Sequence, residues 1–109
     1  MKIIVVGIGK VGFTVADQLS NEMHDVILID TNEKVLNAVL NHLDVIAVHG
    51  NGASRKVLSE AGVEESDLVI ALTGSDEINL LCCLLATKLG ANGTIARVRN
   101  HVYYEDVRL

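Results

Sequence analysis

Three glycines stand between a short apolar segment and a helical pattern near the start of the chain, in the order Gly7, Gly9 and Gly12. The first permits a tight turn after a strand, the second leaves room for a diphosphate to approach the main chain, and the third lets a helix pack closely on the strand. The amino end of that helix supplies free N–H groups and the positive end of a dipole. The spacing therefore predicts a phosphate-binding loop.

Asp30 follows the next apolar segment. An acidic side chain at this place accepts hydrogen bonds from both ribose hydroxyls of an adenosine. No arginine stands among Thr31, Asn32 and Glu33 to receive a 2′-phosphate, so the pattern favours NAD over NADP. The alternative is that Asp30 only caps the following helix, although Thr31 and Asn32 can cap that helix without it.

Polar residues also follow the third and fourth apolar segments. Because ligands of doubly wound sheets lie at the carboxyl ends of the strands, Asn51 and Gly52 are expected beside an adenine. For the same reason, Thr73 and Gly74 are expected beside the adenosine and the phosphates. An equally supported alternative makes these residues turn and capping residues, with Ser75 or Thr73 as an N-cap.

The elements that position these residues follow from the spacing of apolar side chains. Nearly unbroken Val, Ile and Leu segments predict strands covered on both faces, and hence a parallel sheet, at about 3–6, 26–29, 45–48 and 68–72. Helical patterns predict helices at about 10–22, 32–42, 53–61 and 76–89. Right-handed crossovers then give a single, three-layer, Rossmann-like α/β domain with a doubly wound parallel sheet.

A fifth strand is predicted at about 94–99, where alternation places Ile95, Arg97 and Arg99 on one face. Arg97 or Arg99 is expected either to clamp the nucleotide phosphates or to hold the loop after strand four by a salt bridge. Beyond that choice, Arg99 is left open between a subunit contact and solvent. A last helical pattern begins at His101 and stops at Leu109 after about two turns. We therefore expect residues 1–109 to be the first domain of a longer protein.

Composition and charge exclude several classes of protein. A net charge of -5 and 3% aromatic residues argue against a nucleic-acid partner. No apolar run reaches the roughly 20 residues that cross a bilayer, and Met1 and Lys2 lead straight into a strand, so we expect a cytoplasmic domain that is not membrane-inserted. The adjacent Cys82 and Cys83 suit neither a structural disulfide nor a zinc site, and they are expected to be reduced core thiols.

The predicted fourth helix carries more apolar side chains than one core-facing stripe requires. They are Ile78, Leu80, Leu81, Leu84, Leu85 and Leu89. Part of this surface is expected to be an interface in a homodimer or a larger homo-oligomer, although a helix wedged deeply within one domain would show the same pattern.

Five segments in order, GIGKVG, LIDTNE, VHGNGAS, IALTGSDEIN and ARVRN, resemble the nucleotide-binding N-terminal domain of Trk-type potassium uptake proteins, also called the KTN or RCK domain. The resemblance spans almost the whole chain. It implies a regulatory domain, not an enzyme, that binds NAD or NADH, or in some members ATP or ADP. It also implies a membrane potassium transporter or channel as partner, and a crossover helix within which this chain stops.

The same resemblance assigns residues of this chain to the nucleotide site. Lys10 stands where some members carry an arginine, and it keeps the charge without the bidentate fork. Asn51 stands where many members carry an acidic residue. The residues expected to contact the nucleotide are Gly7, Ile8, Gly9, Lys10, Val11, Gly12, Asp30, Thr31, Asn51, Gly52, Thr73, Gly74 and Arg97.

An NAD-dependent dehydrogenase is the alternative function, because the same fold serves both classes. Hydride transfer requires a substrate site and an acid or base beside the nicotinamide, and these usually come from another domain. His49 is the histidine nearest to the predicted site, but the sequence shows no evident partner carboxylate for it. A third interpretation is a Rossmann shell that binds no nucleotide and serves as an interaction module.

Overall fold

The computed structural model describes residues 1–106 and the side chains of residues 1–103. The strands are β1 (Lys2–Val6), β2 (Asp25–Asp30), β3 (Ile46–His49), β4 (Leu68–Ala71) and β5 (Thr94–Ala96). The helices are α1 (Lys10–Asn21), α2 (Glu33–Leu40), α3 (Arg55–Glu60), α4 (Asp76–Leu89) and α5 (His101–Asp106), with a 3₁₀ turn at Val63–Glu65.

The strands form one parallel sheet in the order β3-β2-β1-β4-β5. β1 lies at the centre, with Ile3 opposite Val26 of β2 and Leu68 of β4. The chain winds outward from β1 to β3 and then crosses to β4, so the winding direction changes beside β1. Since the carboxyl ends of parallel strands meet at one edge, the loops after the strands converge there. This arrangement confirms the predicted Rossmann-like class.

Alternate residues of each strand feed two separate cores. On one face, β1 packs through Ile4 and Val6 against α3 and α4. On the other face it packs through Ile3 and Val5 against α1 and α2. A strand covered on both faces has no polar position to spare, which explains the unbroken apolar runs in the sequence.

Side-chain caps set where three of the helices begin. Asn32 caps α2, Ser54 caps α3 and Ser75 caps α4, each accepting a main-chain N–H of the first turn. The third helix therefore begins at Arg55, later than predicted. Ser75, and not Thr73, is the N-cap of α4.

β5 is shorter than the sequence predicts, and the predicted strand through Arg99 is wrong. β4 ends at Ala71, and its carbonyl oxygen accepts the Arg97 N–H at 2.9 Å. Beyond that bond the chain pairs with a side chain of α4, because the carboxylate of Asp76 accepts the N–H of Arg99 at 3.0 Å and that of the next residue at 2.8 Å. The chain leaves the sheet because β4 offers no further partner.

α5 begins at His101, as the sequence predicts, and is described as far as Asp106. The predicted helical pattern at residues 107–109 lies outside the described residues. Within residues 1–106, no helix combines the length and the apolar character that crossing a bilayer requires.

Cys82 and Cys83 are buried on the inner face of α4, and both thiols are free. Burial raises the pKa of the Cys82 thiol from 9.0 to about 12, and it also raises the pKa of Cys83. Since the thiolate is the reactive form, these thiols are poor nucleophiles at neutral pH. The structure confirms them as core residues.

Candidate functional site

An open cleft of about 440 Å³ lies at the carboxyl edge of the sheet. The loops after all five strands contribute to it. The residues predicted to contact a nucleotide that line this cleft are Gly7, Ile8, Gly9, Asp30, Thr31, Asn51, Gly52, Thr73, Gly74 and Arg97.

Three residues of the predicted loop lie outside the lining of this cleft. Gly12 is buried beneath the loop, and Val11 is 43% exposed. Lys10 lines a separate groove between α1 and α2, together with Phe13 and Val35. The Lys10 ammonium is therefore placed away from the cleft that holds the other predicted residues.

A larger hollow of about 690 Å³ lies at the opposite edge of the sheet, where Lys2, Asp25 and Ile46 contribute to its wall. It includes no residue of the glycine loop. The chemistry predicted from the sequence therefore belongs to the smaller cleft.

The glycine loop is held by close main-chain contacts. Gly7 has φ +94°, and a Cβ atom built there would lie 2.7 Å from the main-chain nitrogen of Thr73. A Cβ atom at Gly12 would overlap the carbonyl oxygen of Gly7. Both glycines are therefore required by the packing of β1, α1 and the loop after β4.

Gly9 differs from these two glycines because it faces open space. A Cβ atom there would meet nothing within 4 Å, and the same is true at Gly74. Gly9 is also the N-cap of α1, and it has no side chain to cap that helix. The first N–H groups of α1 therefore remain available at the cleft for an anion.

The carboxylate of Asp30 holds the glycine loop to the end of β2. Its Oδ2 accepts the N–H of Ile8 at 2.7 Å, and its Oδ1 accepts the N–H of Asn32 at 2.8 Å. Each carboxylate oxygen has a second acceptor position, so both can also receive ribose hydroxyls. Asn32 performs the helix capping, and Asp30 is therefore not needed as the cap of α2.

Two arginines line the cleft on the other side of β1. The guanidinium Nη2 of Arg99 donates to the carbonyl oxygen of Gly74 at 2.8 Å. Arg99 thus holds the loop after β4 from within the domain, by a hydrogen bond and not by a salt bridge. Arg97 is half-buried, and the ion pairs among the described side chains involve Lys2 and His24 instead of this residue.

The loop after β3 is stabilised within itself. The Oδ1 of Asn51 accepts the N–H of Ala53 at 2.8 Å, which is the turn role considered for it. His49 does not line the cleft, and its Nε2 lies 2.9 Å from the carbonyl oxygen of Thr31. The histidine nearest to the site is therefore occupied in joining β3 to β2.

Sequence reasoning missed Asn79, which lies fully buried beneath the loop after β4. Its amide makes hydrogen bonds to Thr73 and to Arg97. A signal was present, because Asn79 falls on the i, i+3, i+4, i+7 stripe that includes Cys82, Cys83 and Ala86. A polar residue on a buried helix stripe must find hydrogen-bond partners inside the protein.

The strand order, the glycine loop between β1 and α1, and the acidic residue at the end of β2 together define a Rossmann-like α/β domain of the dinucleotide-binding type. Within that class, the chain belongs to the TrkA-N domain family, whose family model matches residues 3–108. The match confirms the resemblance carried by the five sequence segments.

Individual relatives agree with this family membership. The chain is 45% identical over 105 residues to the Trk system potassium uptake protein TrkA homolog of Archaeoglobus fulgidus, covering 96% of this chain and 24% of the relative. It therefore spans about a quarter of the length of that relative.

Solved structures show the same fold. The GsuK channel bound to NAD superposes with a TM-score of 0.83 at 25% identity, covering 95% of this chain and 19% of that one. The NAD(P)-binding domain of an exopolyphosphatase-related protein from Archaeoglobus fulgidus also gives 0.83, at 18% identity, covering 95% of this chain and 77% of that one. At that lower identity the likeness concerns the fold alone.

We expect Asp30→Ala to weaken NAD binding by about 1–3 kcal/mol, because charge-assisted hydrogen bonds to the ribose would be lost. The free energy of unfolding should also fall, since Asp30 holds the Ile8 N–H. Calorimetric titration of the folded variant measures the first effect. Asp67→Ala is the matched control, because Asp67 accepts the Lys2 N–H at 2.8 Å at the opposite edge. Unchanged NAD affinity in folded Asp30→Ala would contradict the ribose role.

Gly9→Ala and Gly12→Ala should separate binding from folding. Alanine fits the main chain at Gly9, where φ is -79° and ψ is -164°, so the free energy of unfolding should change by less than about 1 kcal/mol. The added methyl group should nevertheless weaken NAD binding by occupying space needed by a diphosphate. Gly12→Ala should instead disrupt folding through its overlap with Gly7. Urea unfolding and calorimetry test both, and normal NAD affinity in Gly9→Ala would argue against diphosphate approach there.

Proposed function

We propose that this chain is a regulatory nucleotide-binding domain that controls potassium uptake through a membrane potassium transporter or channel. The observation that carries the proposal is a single cleft that combines the uncapped start of α1 at Gly9 with the carboxylate of Asp30. The helix start favours phosphates, and the carboxylate favours ribose hydroxyls. Family membership and the potassium uptake relative support the regulatory role.

NAD or NADH is the ligand that we propose. Asp30 ends β2 on one side of β1, whereas Arg97 follows β5 on the other side. An extended dinucleotide has a ribose for the first residue and a diphosphate that spans the glycine loop toward the second. The NAD bound to the GsuK channel supports this choice. ATP or ADP is the alternative, with Arg97 contacting the terminal phosphates.

Regulation requires a second domain against which the nucleotide can act. A ligand shifts an equilibrium only if it binds two arrangements with different affinities. α4 supports a homodimer or a larger homo-oligomer, because Leu81 is 45% exposed and Leu84 is 55% exposed. We place such paired domains in the cytoplasm, at the inner face of the membrane beside the transporter or channel.

The geometry supports binding without chemistry. The Asp30 carboxylate is hydrogen-bonded to main-chain N–H groups, and His49 lies outside the cleft. No acid–base pair among the described residues of the cleft is placed beside a substrate position. The dehydrogenase alternative therefore gains no support from this site.

We expect the purified domain to bind NADH without oxidising it. Calorimetric titration with NAD, NADH, ATP and ADP should give saturable binding, tightest for NAD or NADH, because the cleft accepts both a ribose and a diphosphate. Absorbance of bound NADH should stay constant with a panel of keto acids and aldehydes. Steady turnover abolished by His49→Ala would restore the dehydrogenase interpretation, and failure of all four nucleotides to bind would contradict the proposed function.

Arg97→Gln should lower NAD affinity while the ligand-free fold stays nearly unchanged. The free energy of unfolding should change by less than about 1 kcal/mol, since even a partly exposed ion pair contributes only about 0–1 kcal/mol. Arg99→Gln is the matched control, because it removes the hydrogen bond to Gly74 and should lower the stability of the empty domain. Normal NAD affinity with reduced stability in Arg97→Gln would contradict the phosphate contact.

A further inference from the structure

The amide of Asn79 is a fully buried polar group that belongs to neither core. Its Oδ1 accepts the main-chain N–H of Thr73 at 2.9 Å and the hydroxyl of the same residue at 2.7 Å. Its Nδ2 donates to the carbonyl oxygens of Thr73 at 3.1 Å and Arg97 at 2.9 Å. All four hydrogen-bonding positions of the amide are thus used.

This pattern fixes the orientation of the amide. The oxygen of Asn79 faces two donors, and the nitrogen faces two carbonyl oxygens, so a rotation by 180° would break every bond. A buried amide that is fully satisfied rigidifies the groups around it, because losing a partner leaves a costly unpaired polar atom.

Asn79 acts where the two strands that carry the cleft residues stop pairing. The last ladder bond between them joins Arg97 N–H to the Ala71 carbonyl oxygen. One residue further along β4, the chain turns into the loop that contains Thr73. There the side chain of Asn79 takes the place of a ladder bond and joins the two diverging main chains. Thr73 and Arg97 both line the cleft, whereas Asn79 lies beneath them.

We propose that Asn79 is a positioning residue, which fixes Thr73 and Arg97 on the phosphate side of the cleft and thereby sets the affinity for phosphate-bearing adenosine ligands. The proposal rests on the proposed function. The ribose side of the cleft is held separately, since Asp30 is fixed by Ile8 and Asn32. Loss of the amide therefore affects one half of the ligand and leaves the other half bound.

The experiment compares NAD with adenosine, which has the same ribose and no phosphate. Asn79→Ser shortens the side chain and removes the bridge, whereas Asn79→Asp keeps the shape and replaces only the amide donor. Each variant should bind NAD at least about tenfold more weakly, the loss expected when a charged contact is displaced. Adenosine affinity, measured by amide chemical shifts in the same samples, should stay within about threefold.

A double-mutant cycle with Arg97→Gln distinguishes positioning from a general structural role. If Asn79 acts through Arg97, the tenfold loss of NAD affinity should largely disappear in the Arg97→Gln background. A loss caused only by the new charge of Asn79→Asp would persist in that background. Ser66→Ala is the matched control, because the buried Ser66 hydroxyl donates to the Val63 carbonyl oxygen at 2.8 Å far from the cleft. It should lower stability and leave NAD affinity unchanged.

Wild-type binding tests the proposed function, and the variants test the inference. Absence of NAD binding to the wild-type domain overturns both. With wild-type binding intact, equal losses for NAD and adenosine, or additive losses in the cycle, overturn the positioning role. Titrations at 4 °C with the folded fraction followed by circular dichroism keep destabilised variants measurable, and Asn79→Asp decides the matter if Asn79→Ser does not fold.

Discussion

The closeness of three main-chain segments at the end of β1 is the constraint on which the rest of the structure depends. Gly12 of α1 lies against the carbonyl of Gly7, and Gly7 lies against the main chain of Thr73. No side chain fits between these segments. Their contact brings the start of α1 to the point where the winding of the sheet reverses, and an anion-binding helix end next to a ribose-binding carboxylate follows from that placement.

Much of this architecture could be predicted because it is encoded locally. Strands covered on both faces must be apolar throughout, so β1, β2 and β4 stand out in the sequence. The glycine spacing and Asp30 mark the carboxyl edge for a similar reason. The fold class, the cleft and most of its lining were therefore accessible without coordinates.

The errors arose where a residue depends on a distant partner. Alternation in residues 94–99 is compatible with a strand, but a strand continues only while its neighbour does, and β4 ends at Ala71. Lys10 belongs to the glycine loop in sequence, yet it lies in the groove between α1 and α2. Asn79 looks like one polar residue in a leucine-rich helix until the carbonyl oxygen of Arg97, 18 residues away, is placed beside it.

The hydrogen bonds of Asp76 couple the cleft to the chain that leaves the sheet. Its carboxylate holds the main-chain N–H groups of Arg99 and Asn100, which lie 23 and 24 residues further along the chain. Asp76 begins α4 directly after Ser75, which lines the cleft. Those two amide protons exchange with solvent only when Asp76 releases them. Their exchange rates thus report, from outside the cleft, whether its floor is open or held in place.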